Sequence, residues 1–548
     1  MAKPRLYSAG GGHTTERPRV WRGQDDFFIK LDAFDMDQAP RPSPYRRFVD
    51  GLNDATRMQD ALLARLIERG RDTAFGREHG FDRIASLADF RARVPLRRYD
   101  DLRPYVDRIV DGERDVLFSG DVFRFISSSG STAGRAKVLP LPRAYFAEAF
   151  NPFYMAYLEG VTRAYPGFAA SRDRTVNFKW DPLRDTSMLA SGVPHVGLSQ
   201  VNLANEFGSE ALLEPGTTGP WAAVPAEIPA DLDRLYFRLR MAAGHDIRQF
   251  VGINPAILAT VPHLLETNAE RLFADIAAGT FAGRAVATPD PALAETLADR
   301  RAARGRLLPA DVWPNVERLI CWDEGIAGVY LPQVVEDYGA DVAVVPAPLA
   351  ASEAPLALHL LADGVRGAVA YNAAFFEFLD VQDGDAPTPR RLDELRVGAS
   401  YAVVVTQAGG FCRYVLGDLL DVTGRVGEVP TVAYAGRLAP SAAAPESALL
   451  GLMRRHGDAH GLRLRNFTFV PAANGALDLI FACDDTTAAD ASLAALRDAY
   501  AADPALAGAP LGEVRRVPPA HFAAQWCDRV AAGLRPPQVK DRIVSPTP

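Results

Sequence analysis

The chain has 548 residues, of which 60 are Lys or Arg and 68 are Asp or Glu. This gives a net charge of −8 with 48% hydrophobic content. That composition is enough for a large buried core and more than one domain. The acidic balance excludes bulk nucleic-acid binding, which shows as a basic domain, so the expected partners are small molecules or proteins.

No window holds the roughly 18 to 20 uninterrupted apolar residues of a membrane span. The opening MAKPRLYSAGGGHTTERPRV has no apolar targeting core, so a cytoplasmic protein with no membrane partner is expected. Cys321, Cys412, Cys483 and Cys527 are far apart and form no CxxC, and the nine histidines form no HExxH. Disulfide frameworks and zinc sites are therefore not suggested, and any metal would be held by oxygen. Only five lysines occur, Lys3, Lys30, Lys137, Lys179 and Lys540. In a chain that otherwise uses arginine, a lysine marks a place where a compact charge is wanted, unless composition has simply drifted.

In chain order, residues 1–45 mix Gly, Pro and charge without period and read as an irregular arm. Leu52, Ala55, Met58, Leu62, Leu63 and Ile67 then recur at helical spacing, predicting an amphipathic helix that ends by Gly76. VPLRRYDDLRPYVDRIVDGE predicts a short proline-punctuated helix. Val122, Phe123, Phe125 and Ile126 predict a strand that runs into SSSGSTAGRAK, Ser127 to Lys137.

That loop is not a Walker A motif. Gly130 and Gly134 precede Arg135-Ala136-Lys137 instead of leading into GK[ST], and Pro140 and Pro142 forbid an immediate long helix. Its hydroxyls and backbone N–H groups either converge on a polyphosphate beside Lys137 or form an ordinary Ser/Gly surface turn. The aromatics Phe146, Phe150, Phe153, Tyr154 and Tyr157 crowd one helical segment and read first as core.

Further on, a valine-rich strand ends at Pro346 ahead of Ala351-Ser352-Glu353. Val403 to Val405 predict a buried strand, Gly409-Gly410 a turn, and Phe411 to Tyr414 a second strand, with Asp418 at a tip after Gly417. Asp418 either accepts from a diol or merely forms a turn. After Gly436-Arg437 an Ala/Pro/Ser-rich run marks a linker. The remainder predicts helices near 445–460, 489–501 and 520–533, with two strands joined at Asn474-Gly475. Lys540 lies in LRPPQVKDRIVS near the end.

SSSGSTAGRAK resembles the phosphate loop of the acyl-adenylate-forming superfamily. DTAFGREHGF and VPLRRYDDLRPYVDRIVDGE upstream, and KVLPL, YNAAFFEFLD and FCRYVLGDLLDVTG downstream, resemble one branch of it in order and spacing. This branch is the Gretchen Hagen (auxin-responsive) acyl acid amido synthetases, and the likeness runs from about residue 55 to the end.

The resemblance implies an α/β fold. Residues 46–436 would form a large adenylation domain of mixed sheets flanked by helices plus a distorted β-barrel, and residues 437–548 a small mobile α+β cap. It implies ATP and Mg²⁺ as cofactors, with a carboxylic acid and an amine, commonly an amino acid, as substrates. Ser128, Ser129, Gly130, Ser131, Thr132 and Gly134 would hold the phosphates with Lys137. Ala351 and Ser352 would lie in the adenine-binding loop and Glu353 would hold Mg²⁺. Leu349 replaces the usual leading aromatic of that loop, so Phe375 is expected to stack on adenine, while Phe376 and Phe378 read as core.

Asp418 would bind the ribose, Arg437 would reach the nucleotide from the hinge, and Lys540, in a Gln-x-Lys segment, would stabilise charge on the α-phosphate. The linker lacks the family's charged residues after Arg437. Arg413, on the same hairpin as Asp418, reads as structural. Two other outcomes remain open at this stage. One is transfer of the acyl group to a thiol of coenzyme A or a carrier protein, suggested by Pro445-Glu446. The other is a silent nucleotide-binding protein.

Overall fold

The first predicted helix forms but stops early. In the computed structural model, which describes residues 42–127, 137–179, 187–188, 193–196, 216, 218–384, 387–438 and 444–545, it runs Ala55–Gly70 and buries Leu62, Leu63 and Leu66. Thr73 ends the run: its hydroxyl donates to Gly70 O at 2.7 Å and accepts from Gly76 N at 2.9 Å, capping a new helix, Ala74–Glu78. Gly76 must be glycine, because a Cβ there would lie 1.9 Å from Gly70 O. The proline-punctuated helix forms as Tyr99–Val110, with Pro104 inside.

Two sheets position the cleft. One is four-stranded and parallel, in the order Ala343–Pro346, Arg318–Cys321, Gln249–Val251, Thr175–Asn177. Gln249–Val251 and Thr175–Asn177 are buried on both faces, as parallel strands covered by helices are, with Thr175, Asn177 and Gln249 as buried polar members. Phe250, Trp313, Tyr330 and Tyr338 form the centre of the core around it.

The other sheet is antiparallel and seven-stranded. Its order is Leu349–Ala350, Pro355–Leu360, Val365–Val369, Val429–Arg437, Tyr414–Val426, Ser400–Thr406, Phe375–Asp380. The helix Ala55–Gly70 clamps its last strand through buried Gln59, whose amide donates to Ala374 O at 2.6 Å and accepts from Phe376 N at 2.8 Å. A smaller four-stranded sheet pairs Arg124–Ser127 antiparallel with Val138–Leu141, placing Ser127 opposite Val138. The loop between them therefore springs from a hairpin.

The small lobe begins where Val429–Arg437 ends. It has helices Glu446–His460 and Thr486–Ala502 over a three-stranded sheet, Leu464–Pro471, Leu477–Cys483 and Leu511–Val517, with its own core. The Asn474-Gly475 turn forms as expected: Gly475 has φ +81° and Asn474 Oδ1 accepts from Ala476 N at 3.1 Å. The third strand, Leu511–Val517, is unforeseen. It pairs parallel with Leu477–Cys483 and is largely solvent-facing, so its sequence carries little apolar signal. The last helix, His521–Ala531, buries Trp526 and Val530 against the large lobe, and Val539 joins them there.

The aromatics from Phe146 to Tyr157 are all buried core, as read. Among the described residues no helix is long and apolar enough to cross a membrane. The four cysteines are free.

Candidate active site

Parallel strands deliver their following loops to one edge of a sheet, where α/β proteins bind ligands. Here three adjacent strands do so. Gln249–Val251 leads to Asn254, Arg318–Cys321 to Trp322, and Ala343–Pro346 to the turn carrying Ala351, Ser352 and Glu353. Trp322 N donates to Ile253 O at 2.9 Å and its indole N–H to Pro348 O at 3.2 Å, tying the three loops together. The Ala351–Glu353 turn is closed by Ala351 N to Ala354 O at 2.9 Å and held from the side by the Tyr145 hydroxyl on Ser352 O at 3.1 Å.

Lys137 emerges from the phosphate-loop hairpin into this edge and is 9% exposed. Its ammonium donates to the Tyr414 hydroxyl at 2.8 Å and lies 3.3 Å from Glu353 Oε1, while the Tyr414 hydroxyl is 3.4 Å from the same carboxylate oxygen. The rings of Tyr99 and Tyr414 flank the ammonium at 5.8 and 5.5 Å, completing an aromatic cradle. The Tyr99 hydroxyl also fixes the start of the Lys137 strand by bonding both N–H and C=O of Val138 at 2.8 Å. Burial, and then Glu353, raise the Tyr414 phenol far above its ordinary range, so it is a fixed hydroxyl and not an anion.

Asp418 stands opposite Arg437 in the register of Tyr414–Val426 with Val429–Arg437, and Arg437 Nε is 3.3 Å from its Oδ1. Burial raises the Asp418 carboxyl above the usual carboxylate range. Arg437, then Lys540 and Lys137, pull it back, and Glu353 adds to the rise. Lys540 lies 4.8 Å above the Trp322 ring. Solvent reaches it, as it reaches a side chain on an open cleft wall, while surrounding protein lowers its ammonium below the ordinary lysine range against the attraction of Asp418.

The expected site residues therefore divide. Lys137 meets Glu353, on the turn that also carries Ala351 and Ser352; Asp418 pairs with Arg437; and Lys540 stands over Trp322, whose indole bonds the Pro348 carbonyl ahead of that turn. Ser128, Ser129, Gly130, Ser131, Thr132 and Gly134 lie outside the described residues. Phe375 is a correction: its ring is 1% exposed and packs edge-on against Phe90 in the core, so it offers no face to a base. Phe376 and Phe378 are core as expected, each 1% exposed.

Tyr414, Tyr99 and Trp322 were missed. Tyr414 was visible within FCRYVLGD but read only as strand. Trp322 follows a short apolar run, and its place at the end of a parallel strand could have flagged it.

One consequence is testable at once. Tyr414→Phe keeps the ring but removes the hydroxyl joining Lys137 to Glu353. A hydrogen bond to a charged group is worth about 1.5–3 kcal/mol, so kcat/KM for ATP should fall by about 10- to 100-fold with circular dichroism unchanged. An unchanged kcat/KM would show that the hydroxyl is idle.

This fold is shared with solved acyl acid amido synthetase and acyl-CoA ligase structures. The structure superposes on that of the GH3.15 acyl acid amido synthetase with a TM-score of 0.74 at 18% identity, covering 93% of this chain and 95% of that one. On 2-hydroxyisobutyryl-CoA ligase in its postadenylation state the TM-score is 0.51 at 14% identity, covering 93% and 94%.

The GH3 family N-terminal domain matches residues 44–344 and the GH3 family central domain residues 367–437, so the chain belongs to the GH3 family. The chain is 27% identical over 429 residues to the indole-3-acetic acid-amido synthetase GH3.8 of Oryza sativa subsp. indica, covering 71% of this chain and 68% of that protein. It is 23% identical over 418 residues to the 4-substituted benzoates-glutamate ligase GH3.12 of Arabidopsis thaliana, covering 72% and 70%.

Proposed function

We propose that this protein is an ATP-dependent ligase that activates a carboxylic acid as its acyl-adenylate and passes the acyl group to an amine, that of an amino acid, forming an amide and AMP. The observation that supports this reading is the Lys137 ammonium 3.3 Å from Glu353 Oε1 at the end of one strand, with the Lys540 ammonium 4.8 Å above Trp322 at the end of the neighbouring one.

A free carboxylate cannot expel oxide, so it must first acquire a better leaving group. The acid's oxygen attacks the α-phosphorus of ATP, pyrophosphate leaves, and an acyl-adenylate remains. The amine then attacks the acyl carbon and AMP departs. The first step brings two anions together, and its transition state gathers charge on the α-phosphate, where fixed cations act most strongly. Lys540 takes that place. Lys137 and the loop residues Ser128, Ser129, Gly130, Ser131, Thr132 and Gly134 hold the remaining phosphates, Ala351 and Ser352 border the adenine, and Asp418 with Arg437 orients the ribose.

Mg²⁺ fits Glu353. Among the described residues no cluster of three His, Cys, Asp or Glu side chains could hold a metal unaided. A hard cation that takes one carboxylate and completes its shell with phosphate oxygens suits this buried group. Bound there, it would neutralise phosphate charge. The small lobe, residues 437–548, turns about Arg437 between the two steps and shields the adenylate from water. A reaction that consumes ATP suits the cytoplasm.

The test is a panel of acids scored by ATP-dependent pyrophosphate release, beginning with indole-3-acetate and 4-substituted benzoates, the acids named for the relatives. Amines, glutamate first, and coenzyme A are then offered to the active acid. Amide formation is expected. A thioester would establish the alternative supported by the shared CoA-ligase fold, and silence across a broad panel would establish a nucleotide-binding protein without catalysis.

A further inference from the structure

Asp541, the carboxylate next to Lys540, is used on both oxygens. Its Oδ2 accepts from the Tyr330 hydroxyl at 2.7 Å and its Oδ1 from Asn466 Nδ2 at 2.8 Å. Tyr330 is 1% exposed on the large-lobe helix Ala327–Tyr338, and Asn466 is 6% exposed on the small-lobe strand Leu464–Pro471. One carboxylate thus joins the two lobes.

The other flank of Lys540 repeats the arrangement. The Val539 carbonyl accepts from Asn254 Nδ2 of the large lobe at 2.7 Å and from the Trp526 indole at 3.2 Å. Beyond Asp541 the tail is stitched to the small lobe, with Phe469 N on Ile543 O at 2.7 Å and Ser545 N on Phe469 O at 2.9 Å. The peptide that carries Lys540 is therefore bolted to both lobes immediately before and after it.

Building on the assignment of Lys540 to the first half-reaction, we propose that Asp541 is a positioning residue for adenylation. It receives Tyr330 from one lobe and Asn466 from the other only when the lobes are docked, and so sets the Lys540 ammonium over the cleft in that arrangement alone. A carboxylate suits this role because it is acceptor-only and can serve two donors on separate oxygens. Losing it does not undock the lobes, because Arg465 still pairs with Asp337 at 2.6 Å across the same boundary. What is lost is the aim of Lys540. A displacement of about 1 Å at a reacting centre is enough to cost a hundredfold in rate.

The experiment separates the half-reactions in Tyr330→Phe, which removes one hydroxyl without changing shape, and in Asp541→Ala, with Lys540→Ala as reference. Adenylation is followed by ATP–pyrophosphate exchange with the panel acid of highest rate, and amide formation is started from that acid's synthetic adenylate. For Tyr330→Phe and Asp541→Ala, kcat for exchange should fall about 10- to 100-fold at unchanged KM for ATP. Amide formation from supplied adenylate should stay within twofold of the parent, and Asp541→Asn, which keeps one acceptor, should recover part of the loss. If both half-reactions fall together, Asp541 is merely structural and the proposal is overturned. It is also overturned if exchange stays at the parent rate in both variants while Lys540→Ala abolishes it. If Lys540→Ala itself leaves exchange intact, the role given to Lys540 is what fails.

Discussion

Lys540→Ala is expected to lower acid-dependent pyrophosphate release by about a hundred- to a thousandfold, the range seen when one fixed group that stabilises transition-state charge is removed. The expectation is large because, among the described residues, the two other cations assigned to the site are already engaged. Lys137 is engaged by Tyr414 and Glu353, at 2.8 and 3.3 Å, and Arg437 is engaged by Asp418. Among the described residues Lys540 forms no ion pair, and its ammonium rests above the Trp322 ring; a cation held by a ring's quadrupole alone gives up less on turning to phosphate than one held by a carboxylate.

The pH profile should show the same dependence. The surrounding protein holds the Lys540 ammonium below the ordinary lysine range, with Asp418 opposing. The charged, active form is therefore present at low pH and is lost as pH rises through that lowered value. The alkaline limb of adenylation should fall earlier than an unperturbed lysine would allow, and Lys540→Arg should move it beyond the measurable range at reduced rate. Wild-type pyrophosphate release by Lys540→Ala at every pH would remove the basis for a two-lobe adenylation site.

What the sequence made legible, and what it did not, follows from how local each signal is. The helices Glu446–His460 and Thr486–Ala502 and the Asn474-Gly475 turn rest on spacing and turn chemistry within a few residues, and they form close to where they were read. The proposed site residues Lys137, Glu353, Asp418, Arg437 and Lys540 were legible only through motif resemblance, because periodicity carries no information about which distant loops share a sheet edge.

Phe375 shows the limit of both routes. Its strand, Phe375–Asp380, is buried on both faces, so alternation cannot say which side meets ligand. Phe90 packs edge-on against the ring, and the helix Ala55–Gly70 lies against the same strand. The strand expected to begin at Phe411 starts instead at Tyr414, because Arg413 adopts φ +48°. A left-handed arginine is not written in local propensity. It is imposed by what its guanidinium binds.

That guanidinium is the subject of the second large effect. Arg413 is 4% exposed and reaches Glu377, 1% exposed, with Nε at 2.9 Å from Oε2 and Nη2 at 3.2 Å from Oε1. Its Nη1 donates to Arg91 O at 3.2 Å and Val94 O at 2.8 Å, and Arg91 itself meets Glu377 Oε1 at 2.9 Å. Glu377→Ala leaves the buried Arg413 guanidinium, and the half-buried Arg91 beside it, without their carboxylate, and breaking a buried pair from one side costs about 3–5 kcal/mol. The urea midpoint of the large lobe should fall accordingly, with an unchanged slope.

The double variant Glu377→Leu, Arg413→Gly should lose less than the sum of its parts. It removes both charges and gives the positive φ to the residue that adopts it freely. The damage should also reach the cleft before the protein unfolds. Arg413 O accepts from Arg97 N at 3.0 Å and Val415 N donates to Arg97 O at 2.8 Å, so this pair frames Tyr414, whose hydroxyl holds Lys137. At temperatures where Glu377→Ala remains folded, its KM for ATP should rise toward that of Tyr414→Phe. A folded variant with wild-type ATP kinetics would mean that Tyr414 is set by the strand alone, and that the buried pair contributes stability without aim.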